Sequence, residues 1–203
     1  MRGAGRMSSP SQVFVLAEDQ RQRQFIYRFL VHAGIDRRRV TIEVSPSGLG
    51  SGEQWVRKNF ARQASKCRAR NARNARASTG MIVLLDADRL SVQEHLNELN
   101  AALIAADQPR YDPAQDTIAR LIPKWSIETW ILYLSSDGKP KPPVSEDEPY
   151  KRSRTEEQWA ELIPQASRTF HAWSKAAVER PVNLLDSLRR GLDEIPRAVP
   201  VAR

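Results

Sequence analysis

The chain has 203 residues, with 32 lysines and arginines against 24 aspartates and glutamates, and a formal net charge of +8. That length suits one domain with a real core, and the positive balance points to an anionic partner without dictating a fold. The single cysteine, Cys67, excludes an internal disulfide, no Cys/His spacing suits zinc, and no apolar run approaches a membrane span, so a reducing cytoplasm is the expected compartment.

The opening MRGAGRMSSPSQ has arginines but no apolar run of the signal-peptide kind, and reads as a disordered leader over residues 1–12, with Met7 an alternative start. Val13 to Ala17 is a compact apolar strand. Phe25, Ile26, Phe29, Leu30 and Ala33 then recur at helical spacing until Gly34 stops the helix. RVTIEVS alternates as a second strand, SPSGLGSG is a flexible loop, and Glu53 to about Ala77 has few breakers and reads as a long helix. Met81 to Leu85 is a third strand, and Val92, Leu96, Leu99, Ala102 and Leu103 mark the next amphipathic helix. After the turn-rich ADQPRYDPAQD comes a short strand, ARLIP, and Ser126 begins a helix through Ile127, Trp130, Ile131 and Leu134. This alternation predicts an α/β fold, a mostly parallel central sheet flanked by helices, over residues 13–134. Residues 135–153, rich in Pro, Ser and charge, are expected to be a surface loop or mobile lid. Residues 154–197 form a helical extension on the same domain, with Trp159, Leu162, Phe170, Trp173 and the stripe Leu184, Leu185, Leu188, Leu192 as packing positions.

Carboxylates recur at strand ends: Glu18 after the first strand, Asp86 and Asp88 after the third, and Glu128 downstream of the fourth. In a parallel sheet those ends open onto one crevice. Acids that converge repel and shift one another's protonation unless a cation neutralises them, and magnesium suits hard oxygen ligands. If strand geometry persisted through Asp86 and Asp88, both side chains would point the same way. A plainer explanation stands beside each: Asp is common in turns after strands, and Glu128 in the turn after an N-cap Ser126 is favoured by the helix dipole.

Glu18, the DAD of Asp86 to Asp88 and the IPKWSIETW around Glu128, in that order and each after an apolar strand, resemble the TOPRIM fold of small prokaryotic proteins akin to the TOPRIM part of OLD-type nucleases. The resemblance covers roughly Val13 to Leu134, with Ser187 to Leu192 a candidate for the same pattern. It implies a magnesium- or manganese-dependent nuclease subunit acting on phosphodiesters, with Asp86 and Asp88 holding the metal and Glu18 a further ligand or the acid/base. Glu128 would serve a second ion or its water. It also implies an antiphage-defence setting and a lysine near the metals, for which Lys124, Lys151 and Lys175 are the candidates. No GxxxxGK[ST] segment is present, since GLGSGEQW lacks the Lys and Ser/Thr, so any ATP dependence would come from an ATPase partner.

Positive charge concentrates in the second predicted helix, at Arg57, Lys58, Arg62, Lys66, Arg68, Arg70, Arg73 and Arg76, with no acid between Gln54 and Leu85. Like charges at helical spacing repel, so a counter-anion is expected; DNA or RNA phosphates would supply it, and an acidic protein partner is the competing explanation. Two other functions stay open: a non-catalytic TOPRIM-like module that binds nucleic acid or a regulatory partner, and a DxD phosphohydrolase or nucleotide-sugar transferase. His32, His95 and His171 lie far apart in sequence and read as packing or surface residues, and Cys67 lacks the companions of a thiol enzyme.

Overall fold

The computed structural model describes residues 10–48, 51–73, 78–140, 143–175 and 178–199. Strands β1 (Gln12–Ala17), β2 (Val40–Val44), β3 (Thr79–Leu84) and β4 (Ile118–Leu121) form one sheet in the order β2-β1-β3-β4, and every pairing is parallel. Six α-helices accompany them among the described residues: α1 (Gln20–His32), α2 (Gly52–Arg73), α3 (Val92–Ala105), α4 (Ile127–Ser135), α5 (Glu156–Trp173) and α6 (Asp186–Ala198). The protein is α/β, with an all-parallel sheet between helical layers in a Rossmann-like arrangement.

Strands β1, β3 and β4 are largely apolar on both faces because both faces are covered, as parallel sheets require, whereas the edge strand β2 carries an exposed Thr41 and a half-buried Glu43. Val13, Val15, Ile82, Leu84, Ala119 and Leu121 point into one core with α1, α4, α5 and α6; Leu16, Met81, Val83 and Ile118 point into the other, with α2 and α3. Register fixes this partition. Val15 pairs with Ile42 and Ile82, and Val83 pairs with Arg120, so a one-residue slip would exchange the two faces. Trp130 is fully buried against Gly191 of α6, where an added Cβ would lie 2.5 Å from the indole. Truncating Trp130 to Ala would cost about 3–5 kcal/mol, the usual range for an aromatic in a core.

Three sequence expectations shift. Gln12, assigned to the leader, is the first residue of β1, and the rest of that leader apart from Pro10 and Ser11 lies outside the described residues. The long helix ends at Arg73 within the described residues, and Arg76 lies outside them. The segment expected to be a loop over 135–153 begins with the last residue of α4, Ser135, and is tied down: the Glu146 carboxylate accepts from the backbone N–H of Asp186 at 2.9 Å and of Ser187 at 3.0 Å, capping α6. The C-terminal helices are integral to the core, with α6 lying over β4 and β3 and α5 over α1 and α4. No helix among the described residues is long and apolar enough to cross a membrane.

Candidate metal and phosphate site

All four strands end at one edge, and the loops leaving β1 and β3 there carry Glu18 and Asp86 to Asp88. Asp19 is the N-cap of α1, accepting from the Gln22 N–H at 2.8 Å. Gln22 then uses its side chain twice: its Oε1 accepts from the Glu18 N–H at 2.8 Å, and its Nε2 donates to Asp86 Oδ1 at 2.8 Å. Asp86 Oδ1 also accepts from the Ile127 N–H at 3.0 Å, so Asp86, rather than Ser126, caps α4; Ser126 occupies the N-cap position but makes no capping bond. The second oxygen, Asp86 Oδ2, is buried without a hydrogen-bond partner, and the nearest cation is Lys151 Nζ at 3.9 Å.

Glu18 lies against Asp86, its Oε2 accepting from the Asp86 N–H at 3.2 Å. Gly52, first residue of α2, permits this packing, because a Cβ there would lie 2.4 Å from Glu18 Cγ. Burial pushes the Glu18 carboxyl up from 4.5 to about 7; Asp88 and Asp19 push the same way, and the Asp86 amide and Lys151 oppose. Burial, then the charges of Glu18 and Asp19, hold the Asp86 carboxyl well above the ordinary range. Partial burial pulls Lys151 down, but Asp86, Glu18, Asp19 and Asp88 together outweigh it, and its ammonium is held charged. Of the three candidate lysines, Lys151 alone lines the cleft.

Asp88 does not continue the strand. β3 stops at Leu84 and Asp88 adopts a left-handed φ of 46°, its N–H donating to Trp125 O at 2.9 Å, so period-two spacing does not set its direction relative to Asp86. It is exposed and lines a cleft of about 770 Å³ with Arg89, Trp125, Ser126, Lys151 and Arg152. The Trp125 indole N–H and the Ser126 hydroxyl, both buried, have no hydrogen-bond partner.

Glu128 sits in the first turn of α4, beside the same edge, but its fully buried carboxylate forms an ion pair with the Arg21 guanidinium of α1. Arg21 also bonds Glu156 of α5 at 2.5 Å and stacks over Trp159. Like Glu18 and Asp86, Glu128 does not line the cleft itself; what sets it apart is that its carboxylate is already paired with Arg21.

No family model matches the chain, and no curated protein or solved structure matches it.

The basic helix divides into two sets. Arg57 pairs with Glu53 at 3.1 Å and Glu98 at 2.5 Å, and Arg68 is held by Asp116 at 2.7 Å and by the carbonyls of Pro109 and Arg110. Those two arginines serve packing between elements. Lys58, Arg62, Lys66, Arg70 and Arg73 are exposed, and at about 100° per residue they fall within roughly a third of the helix circumference, opposite Phe60, Ala64 and Cys67. Arg62 and Arg70 bond the neutral groups Asn59 and Gln12 at 2.5 Å each, and Arg62 also stands 4.0 Å from the Glu43 carboxylate. Cys67 is buried, and burial raises its thiol pKa by more than the nearby Arg68 and Arg70 lower it.

Sequence reasoning missed Asp19, Gln22 and the place of His95. His95 is buried in α3, with Nε2 3.1 Å from Ala87 O and Nδ1 3.0 Å from Glu98 Oε2. The spacing His95 to Glu98, one helical turn apart, was the available signal.

Proposed function

We propose that this chain is a TOPRIM-like, magnesium- or manganese-dependent nuclease subunit that hydrolyses nucleic-acid phosphodiesters, working in the cytoplasm beside an ATPase partner in an antiphage-defence setting. The carrying observation is the buried Asp86 Oδ2, which has no hydrogen-bond partner and stands beside Glu18 at the C-terminal edge of a parallel sheet. A buried carboxylate oxygen without a donor is stabilised by a cation, and hard oxygen ligands at such an edge suit magnesium. Glu18 and Asp86, with Asp88 across the loop, would hold the metal. A bound divalent ion would polarise the phosphoryl group and lower the pKa of water.

The chain's own groups supply the rest. Lys151, held protonated by the surrounding acids, would bind a phosphoryl oxygen or steady charge on the leaving oxygen. The unpartnered Trp125 N–H and Ser126 hydroxyl would orient the phosphate from the other side. Glu18, with a pKa near 7, suits proton transfer at neutral pH when no metal claims its lone pairs. Glu128 is assigned a positioning role, since Arg21 neutralises it and ties α4 to α1 and α5.

The alternative, a non-catalytic module that binds nucleic acid or a regulatory partner, draws support from the same Lys151, whose ammonium already offers Asp86 a counter-charge. The deciding experiment incubates the purified chain with plasmid, linear DNA and RNA under magnesium, manganese and chelator, beside Asp86→Asn and Lys151→Ala. Metal-dependent cleavage by the native chain, lost in both variants, supports the nuclease. Binding without cleavage, insensitive to chelator, supports the module.

A further inference from the structure

Across the cleft from Lys151 lies a cluster outside the Asp86 site: Glu53 from the first turn of α2, and His95 and Glu98 from α3. One ligand atom from each lies within 4.8 Å of the others. His95 is 1% exposed and its Nδ1 has no hydrogen-bond partner, although it faces Glu98 Oε2 at 3.0 Å and Glu53 Oε1 at 3.8 Å. Its other nitrogen, Nε2, meets the Ala87 carbonyl at 3.1 Å and must donate there, because a carbonyl only accepts. That bond rules out a ring protonated at Nδ1 alone and leaves Nδ1 as the nitrogen turned toward the two carboxylates. An imidazole nitrogen facing two carboxylates needs a positive species between them, either a proton or a metal ion. A backbone carbonyl that fixes one imidazole nitrogen while the other faces acids is the outer-shell pattern of metal-ligating histidines.

We propose that Glu53, His95 and Glu98 form a second divalent-metal site, distinct from the Glu18 and Asp86 site, and that it takes a borderline ion such as zinc or cobalt. Imidazole nitrogen favours those ions over magnesium, and three protein ligands leave a coordination position open. Glu53 and His95 line the cleft, so an ion held by them would be within reach of a ligand bound there. Arg57, which bonds both glutamates, acts as the outer donor that holds their carboxylates in place. Ala87 lies between Asp86 and Asp88, so the loop that carries the first site also orients the ligand of the second. The proposal concerns binding alone and stands whether or not the chain cleaves phosphodiesters.

The test uses the full chain with cobalt or zinc alone as probe. Calorimetry is expected to give a zinc site that Asp86→Asn retains and His95→Gln weakens at least tenfold. With cobalt, the visible absorption and the hyperfine-shifted Nε2–H proton of His95 should appear in the native chain and in Asp86→Asn, and vanish in His95→Gln. Circular dichroism checks folding; if His95→Gln fails it, Glu98→Gln on the half-buried side of the cluster supplies the same comparison. Zinc affinity and a cobalt spectrum unchanged in whichever variant folds would overturn the proposal. So would a native chain that binds neither ion, with His95 instead protonated on both nitrogens and paired with Glu98.

Discussion

Removing the charge of Glu18 should make the metal-free protein more stable at neutral pH and flatten its pH dependence. The folded-state pKa is about 7 against an ordinary 4.5, with burial the largest cause. Between those values the folded chain binds the proton and the unfolded chain does not, so stability is fully present below about 4.5 and falls as pH rises through 7. At 1.36 kcal/mol per unit, the difference corresponds to about 3 kcal/mol, or roughly 6–12 °C in melting temperature for a chain of this size. Asp86 is raised by the same causes and adds in the same direction. Glu18→Gln keeps an oxygen to accept the Asp86 N–H while deleting the charge. The assay is urea unfolding in chelator at pH 5.0 and 7.5, followed by the same series with magnesium. The native chain should lose stability between the two pH values and regain it with magnesium at pH 7.5, whereas Glu18→Gln should show a shallower pH slope, the part due to Asp86 remaining, and a smaller gain with magnesium. A native chain and variant with identical pH slopes would refute the reasoning, because burial of this carboxylate would then carry no proton linkage.

Asp86→Asn should abolish magnesium binding in calorimetry with the fold kept, whereas Asp86→Ala should also lose stability in urea, since the Gln22 amide and the Ile127 N–H lose their acceptor at about 1–3 kcal/mol each, offset in part by removal of a buried charge. Gly52→Ala, whose Cβ would collide with Glu18 Cγ, should weaken magnesium affinity with little loss of secondary structure by circular dichroism. The triple charge reversal Lys58→Glu, Lys66→Glu, Arg73→Glu should lower DNA and RNA affinity alike and flatten the salt dependence by about one unit of slope per lost contact, whereas Arg68→Ala should lower stability instead, because Arg68 bonds Asp116. Unchanged affinity and slope in the triple variant would remove α2 as a nucleic-acid track.

The sheet was readable in the sequence because its signal is local. Apolar runs such as Val13 to Ala17 and Met81 to Leu85 are separated by helical repeats, and that alternation leaves parallel pairing as the simple solution. Glu18 and Asp86 could be placed for the same reason, since residues one and two positions past a strand still inherit its place in the sheet. Asp88 lies far enough beyond β3 for a left-handed turn to redirect it, and turn geometry leaves little trace in a DAD. Glu128 looked like a ligand because its partner, Arg21, is on a helix more than a hundred residues earlier. Lys151 was one of three equal candidates, because a loop without periodicity gives no register from which to place it. The same limit applies to α2: Arg57 and Arg68 look identical to Lys58 and Arg73 until Glu98 and Asp116 come beside them.

Charge therefore separates in space more sharply than composition suggests. The chain is basic overall, yet Glu18, Asp19, Asp86 and Asp88 gather around Lys151 at one end of the sheet. Helix α2 begins at that end, where Gly52 touches Glu18 and Glu53 lines the cleft. It finishes at the opposite edge, where Asn71 exchanges hydrogen bonds with Thr79 at the start of β3 and Arg70 reaches Gln12 at the start of β1. The exposed cations from Lys58 to Arg73 thus run roughly 22 Å along the helix axis, away from the acids, at 1.5 Å per residue. At about 3.4 Å per nucleotide of one strand, that ridge matches some six phosphates. On the proposed reading, a polyanion would be gripped by the ridge and would approach the acids only at the Lys58 end. Binding and metal chemistry should then be separable by mutation. The far cations, Arg70 and Arg73, lie well beyond a Debye length of about 10 Å from Asp86, so reversing them should cost nucleic-acid affinity and leave magnesium affinity unchanged. If their reversal instead weakened magnesium binding as much as it weakened nucleic-acid binding, ridge and cleft would be one electrostatic unit and the division drawn here would fail.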